Sequence, residues 1–276
     1  WQRDELNLAN KELDRKNKQI MDSIRYAEMI QHAMLEREKP LSDYFPESFI
    51  LFRPRDVVSG DFYWYAERNN RLFVATVDCT GHGVPGAFMS MIGNSLLNQI
   101  VLTKGITEPD DILKELQEGV NVALHQKLTG NKDGMDLTVY SIDKEETMLE
   151  YAGARNPLLV IQDGELVQFR GDRISIGGYY KKQRKGFTKK QIELNKDTWI
   201  YSFSDGYVDQ FGGEERMKFM IRRFRELIKE ICRKPMAEQK EILNTTIDEW
   251  MKKSRQNQID DILVIGVHIS KNNAKK

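Results

Sequence analysis

Cysteine is scarce: the sequence of 276 residues holds two, Cys79 and Cys232. They form no CxxC pair, which excludes a zinc ribbon and a disulfide scaffold. Excess charge is also missing, since 42 Lys+Arg balance 42 Asp+Glu. A neutral chain exerts no long-range pull on nucleic acid or an anionic membrane, and neither partner is expected. A metal-dependent nuclease is disfavoured on the same ground, and no basic-aromatic groove pattern is present. No apolar run approaches the roughly 20 residues of a membrane helix, and no secretory leader is visible. GxGxxG and GxxxxGK[ST] are both absent, so nucleotide-phosphate cradles are not expected. The chain opens at Trp1 without an initiator Met, inside what reads as a helix. The expectation is a cytoplasmic piece of a longer protein.

What is present divides in two. The first proline is Pro40 and the first glycine Gly60. Residues 1–40 read as a charged linker helix in which Leu6, Leu13, Ile20, Ala27 and Met34 recur every seven residues. With these at d, the a positions hold Asn10, Asn17, Ile24 and Gln31, a polar seam of the kind that fixes register in a parallel coiled-coil dimer at a cost in stability. A homodimer through this helix is expected, with Ile24, Ile30 and Met34 packing toward the following domain. The alternative is a solvated helix lying on its own domain.

Residues 41–270 have the texture of one β-rich domain, and 271–276 read as a frayed basic tail. Strands are predicted at 49–52, 62–65, 72–77, 137–142, 148–152, 158–161, 165–169, 199–204 and 262–269. Asn69-Asn70 and Asp163-Gly164 supply hairpin turns. Helices are predicted at 84–102, 110–128, 214–230 and 236–253. The four strands from 137 to 169 read as one meander. Strands mostly linked by hairpins, with helices between them, argue an antiparallel α+β sandwich. The hydrophobic fraction of 40% can supply its core.

Chemistry gathers in aspartates at strand ends. Asp61 follows Ser59-Gly60, Asp78 ends a strand before Cys79-Thr80-Gly81-His82-Gly83, Asp205 ends another before Gly206, and Asp260-Asp261 precede the last strand. Converging carboxylates repel and are costly to desolvate. A hard divalent cation relieves that cost, and an all-oxygen donor set suits Mg²⁺ or Mn²⁺. Each aspartate alone is also an ordinary turn residue.

In order, VSGDFYW at 58–64, DCTGHGVPGA at 78–87, SDG at 204–206 and the 260–261 pair resemble the motifs of PPM-type metal-dependent serine/threonine phosphatases. The likeness is to the bacterial branch named for stage II sporulation protein E. It implies an α–β–β–α sandwich, two antiparallel sheets flanked by helices. It further implies two Mn²⁺ or Mg²⁺ ions and hydrolysis of phosphoserine or phosphothreonine by a water bridging them. On the matching positions, Asp78 would be the carboxylate shared by both ions and the Cys79 carbonyl a further ligand. Asp205 and Asp260 would complete the site, and Asp61 would hold metal directly or through water. Asp260 and Asp261 are not separable, with Asp260 favoured.

Other residues carry two readings. His82 is either the general acid for the leaving oxygen or a cap or support for a carboxylate. Arg53 and Arg55 either bind substrate phosphate or stand as a solvated pair. Asp136 could face the site from its strand. Eukaryotic relatives hold a third metal through an aspartate where this chain has Ala154, which puts a third ion in doubt. The basic stretch Lys181-Lys-Gln-Arg-Lys185 with Lys189-Lys190 is a solvated loop or a docking surface. The expected partners are a phosphorylated signalling protein, of the class of a small anti-sigma-factor antagonist, and an upstream sensor. The rival reading is a catalytically degenerate, dimerising signalling module.

Overall fold

The computed structural model describes residues 2–178 and 186–271. Helix α1 (Gln2–Leu35) leads into strands β1 (Ser48–Arg53), β2 (Phe62–Arg68) and β3 (Arg71–Cys79). Helices α2 (Gly83–Leu97), α3 (Pro109–Ala123) and α4 (Gln126–Thr129) follow, with a π-helical segment, Asn98–Thr103, after α2. Then come β4 (Gly134–Asp143), β5 (Met148–Ala154), β6 (Leu158–Gln162), β7 (Glu165–Phe169), β8 (Ile176–Gly177), β9 (Lys190–Glu193) and β10 (Thr198–Phe203). The chain closes with α5 (Asp205–Asp209), the small hairpin β11 (Phe211–Gly212) and β12 (Met217–Lys218), α6 (Met220–Ile231), α7 (Met236–Lys253) and β13 (Ile262–Ile269).

Two antiparallel sheets stack face to face, the architecture the motifs imply. One has the order β2-β3-β4-β5-β9, with β8 against β4; the other is β1-β13-β10-β6-β7. Two-residue alternation builds the layers. In β13, Leu263, Ile265 and Val267 point between the sheets, whereas Ile262 and Val264 point at α6 and α7. In β4, Tyr140 and Ile142 point between the sheets, whereas Leu137 and Val139 point at α2 and α3. Strands buried on both faces explain their near-continuous apolar sequence. Each buried large side chain contributes about 1.5–3 kcal/mol.

Several sequence readings need correction. The meander from β4 to β7 is split: β4 and β5 lie in one sheet, β6 and β7 in the other. The turn after Ala154 carries the chain across, held by Asn156 N–H donating to Ala154 O at 2.7 Å. Hairpin turns are local, but sheet membership depends on distant partners. The helix expected from 214 begins only at Met220, because Arg216 sits at φ 51° in the β11–β12 turn. The helix expected to reach 128 breaks at His125, also left-handed at φ 48°.

Of the basic loop, 181–185 lie outside the described residues. Lys189 is engaged, not free: its ammonium bridges Glu108 and the buried Glu150. Lys190 belongs to β9. Of the tail, only Lys271 is described, and its N–H donates to Asp197 at 2.8 Å.

The seam assigned to α1 also divides. Its C-terminal turns dock on α2 and β2, and Gln31 is buried, 6% exposed. Ile30 and Met34, expected to pack inward, are each 43% exposed. Leu6, Leu13 and Ile20 are exposed as well. Among the described residues, no helix is long and apolar enough to cross a membrane.

Candidate active site

The aspartates arrive at one end of the sandwich from both sheets. Asp78 lies near the end of β3, directly opposite Asp136 on β4. Thr80 ties the following loop to β4: its hydroxyl accepts from Gly134 N–H at 2.5 Å and its N–H donates to Gly134 O at 2.9 Å. From the other sheet, Asp205 opens α5 after β10, and its N–H donates to Asp78 across the sheets at 3.4 Å. Ser204 joins β10 to the start of β13, donating to Leu263 O at 3.0 Å and accepting Leu263 N–H at 3.1 Å. That pairing brings Asp260 and Asp261 beside Asp205. The approach is close: a Cβ on Gly206 would lie 1.9 Å from Asp261 O.

The structure separates Asp260 from Asp261. Asp261 is 2% exposed, and its carboxylate is occupied by backbone. One oxygen accepts Arg55 N–H at 2.7 Å and the other accepts Gly60 N–H at 2.7 Å, with Asp61 N–H at 3.4 Å. Asp261 therefore organises the 55–61 loop. Asp260 is half-buried, accepts Asp261 N–H at 2.9 Å, and faces Asp205, Asp78 and Asp61 electrostatically.

Asp61 is clamped from three directions. Gly60 packs so tightly that a Cβ would lie 2.4 Å from Gly81 O, and a Cβ on Gly86 would lie 2.8 Å from Gly60 Cα. Only glycine permits that contact between the loop and the start of α2. Asp261 holds the loop from below. From α1, the Gln31 amide donates to Ser59 O at 2.6 Å and Ser90 Oγ at 2.8 Å, and its oxygen accepts Ser59 N–H at 3.1 Å. The helix is thus hydrogen-bonded two residues from Asp61.

Electrostatics follow from this crowding. Burial, then Asp78, pushes Asp61 well above the usual carboxylate range, partly offset by the Ser204 hydroxyl. Burial, then Asp205, does the same for Asp78. Asp205 is pushed up to about 6 by burial and then Asp260. Burial raises Asp136 and Asp260 too; Ser175 and Arg155 oppose the first, and His82 and Arg55 act against the second.

These residues fit hard divalent cations. Asp61 Oδ2 is buried with no hydrogen-bond partner. Such an orphaned anionic oxygen, with Asp78, Asp260 and Asp261 around it, is stabilised best by a cation. Among the described residues no three Asp, Glu, His or Cys side chains are grouped closely enough to hold a metal ion as they stand. Asp61, Asp78, Asp205 and Asp260 would supply the donors, with Asp136 beside them.

The remaining candidates fall elsewhere. Cys79 buries its thiol in the core under α2, and burial pushes it well above the usual thiol range, so it is no nucleophile. His82 is exposed, its Nδ1 2.8 Å from an Asp56 carboxylate oxygen. Arg53 is committed to α7, at 2.9 Å from Asn244 and 2.8 Å from Asp248. Arg55 donates to Ile259 O at 2.9 Å and stands near Asp260. Sequence reasoning missed Gln31, Ser59, Asp56 and Arg155 as parts of this end of the molecule. For Gln31 the available signal was a polar residue at a seam position.

Comparison with known proteins identifies the family. The family described as Stage II sporulation protein E (SpoIIE) matches residues 68–270. The SiaA-PP2C domain of Pseudomonas aeruginosa superposes with a TM-score of 0.82 at 33% identity, covering 92% of this chain and 99% of that one. The PP2C phosphatase domain with a regulatory fragment of SpoIIE from Bacillus subtilis gives 0.63 at 17% identity, over 80% of this chain and 62% of that one. The RsbU and RsbW domains of Rv1364c from Mycobacterium tuberculosis give 0.60 at 20%, over 82% and 61%. No curated protein matches the chain. With a family match over most of its length and a PP2C domain one-third identical across nearly all of it, the chain belongs to the SpoIIE family of PP2C-type phosphatases.

Proposed function

We propose that the chain is a divalent-cation-dependent protein serine/threonine phosphatase that acts on phosphoserine or phosphothreonine of a bacterial signalling protein. The observation that carries this reading is the convergence of Asp61, Asp78, Asp136, Asp205 and Asp260 on one end of the sandwich, with Asp61 Oδ2 buried and unpaired. Asp61, Asp78, Asp205, Asp260 and the Cys79 carbonyl would hold two Mn²⁺ or Mg²⁺ ions. When bound, such ions acidify water and offset charge on phosphoryl oxygens.

The chain's own groups do the positioning. Asp261 and Gln31 fix the loop that presents Asp61. Asp56 holds His82 Nδ1 and leaves Nε2 to deliver a proton to the departing seryl oxygen. The partner is a phosphorylated regulatory protein, of the class of a small anti-sigma-factor antagonist. Regulation runs through α1: its exposed Leu6, Leu13 and Ile20 join two copies as a homodimer, and an upstream sensor moves the helix. The buried bonds of Gln31 favour that route, because displacement of α1 pulls on Ser59. The setting is cytoplasmic.

The test is hydrolysis of p-nitrophenyl phosphate and a phosphoserine peptide with Mn²⁺, Mg²⁺ or EDTA. Asp78→Asn and Asp205→Asn should each lower kcat by several orders of magnitude while circular dichroism is unchanged. Turnover that persists in EDTA overturns the reading.

A further inference from the structure

We infer that Arg155 is a substrate-binding residue that grips the phosphoryl oxygens of the phosphomonoester. This rests on the phosphatase reading above and adds a residue to it. The placement comes from strand register. Asp78 on β3 faces Asp136 on β4, and Leu137 on β4 faces Ala154 on β5. Arg155, one residue beyond Ala154, therefore lies beside Asp136. With strands about 4.8 Å apart, Asp78, Asp136 and Arg155 form a row about 10 Å long across three strand ends. An extended arginine spans most of that distance, so its guanidinium can meet a phosphoryl group lying against Asp78.

The side chain is available for this. Its Nη1 is 3.8 Å from Asp136 Oδ2, beyond hydrogen-bond distance, and the side chain is 61% exposed. Among the described residues the guanidinium makes no hydrogen bond. The other arginines near the cluster are engaged: Arg53 with Asn244 and Asp248, Arg55 with Ile259 O.

By contrast, the Arg155 backbone is fixed. Its N–H donates to Asp172 O at 2.8 Å, and Asp172 N–H donates to Gly153 O at 2.8 Å. Its φ is 60°, left-handed, where an arginine is disfavoured. A residue held in a strained conformation at a site rim, its fork of donors free, matches the planar recognition of phosphate that arginine performs and lysine does not. The 3.8 Å contact with Asp136 is the rest position; a dianionic phosphoryl group offers the guanidinium more negative charge than a single carboxylate does.

The test uses Arg155→Asn and Arg155→Gly, both compatible with a positive φ, so a loss cannot come from the backbone. Arg155→Lys is the conservative variant. Inorganic phosphate is the probe, measured as a competitive inhibitor, alongside KM and kcat for p-nitrophenyl phosphate and a phosphoserine peptide under saturating Mn²⁺. A hydrogen bond to a charged group of ordinary strength corresponds to about 10- to 100-fold. The Ki of phosphate and both KM values should rise by that factor in the Asn and Gly variants. Lysine should restore part of it, with kcat changing less.

Unchanged Ki in both variants overturns the inference. So does a rise confined to the peptide KM, which would place Arg155 on flanking peptide residues. A fall in kcat with Ki and KM intact also overturns it and makes Arg155 a support for Asp136. If the wild-type chain shows no metal-dependent hydrolysis, the phosphatase reading fails instead, and the two failures are distinguishable.

Discussion

Replacing Gln31 by Leu keeps the side-chain volume and removes every polar contact between α1 and the Asp61 loop. Three buried hydrogen bonds are lost, at 2.6, 2.8 and 3.1 Å. Ser90 keeps its bond to Ala87 O at 2.9 Å, and Ser59 O keeps a longer one from Ser90 Oγ at 3.3 Å. Ser59 N–H is left without a partner. The orphaned Ser59 N–H costs about 1–3 kcal/mol and each of the two other bonds about 1 kcal/mol, so about 3–5 kcal/mol of stability is at stake. In a domain of this size that corresponds to a Tm lower by about 6–20 °C.

The functional consequence is separable from the thermal one. If loop 59–61 is no longer held by α1, metal binding must order it. Fixing one residue's backbone costs about 1–2 kcal/mol, which weakens Mn²⁺ binding by about 5- to 30-fold. Isothermal titration with Mn²⁺ reads this directly. Arg37→Met is the control: it breaks bonds to Asn94 and Asn98 at the same end of the helix, 2.5 and 3.1 Å long, without touching Ser59. It should lower Tm and leave Mn²⁺ affinity near wild type. If Gln31→Leu lowers Tm but binds Mn²⁺ like wild type, the proposed link from helix to metal loop is wrong.

Two other outcomes follow from the site. Asp61, Asp78 and Asp205 have carboxyls raised in the folded state, Asp205 to about 6, so the folded protein binds more protons than the unfolded chain. Their contribution is fully present below about pH 4 and is lost as pH rises through the folded values. In EDTA, Tm should therefore fall between pH 5 and pH 7.5, while Mn²⁺ should cancel the fall; a Tm that rises over that window in EDTA contradicts the assignment. Asp143 and Glu150, lowered in the folded state, act in the opposite sense but only in more acidic solution. His82→Ala should reduce kcat on phosphoserine peptide by about 10²–10⁴-fold but far less on p-nitrophenyl phosphate, whose leaving group needs little protonation. Equal losses on both would assign His82 to support of the loop.

Local chemistry was legible in the chain itself. The Asn69-Asn70 turn, with both residues at positive φ, joins β2 to β3 as its composition requires, and Asp163-Gly164 joins β6 to β7. Alternating apolar residues marked the strands, and the helix at 236–253 has the bounds read from its pattern. The acidic strand ends were visible as a set: each aspartate alone reads as an ordinary turn residue, but four of them at strand ends, without paired basic residues, point to a cation.

What the chain could not disclose on its own depends on partners distant in sequence. Sheet membership of β4 to β7 follows from the pairing of β4 with β3, β5 with β9 and β6 with β10, not from the turns between neighbours. Asp260 and Asp261 are adjacent and chemically identical. They part by their tertiary partners: Asp261 accepts the N–H groups of Arg55 and Gly60, while Asp260 stands by Asp205 and Asp78. Gln31 reads as a seam residue until α2 and the 59–61 loop are folded beneath it. A hydrogen-bonding side chain specifies how many partners it needs, and only the assembled tertiary structure specifies which ones it finds.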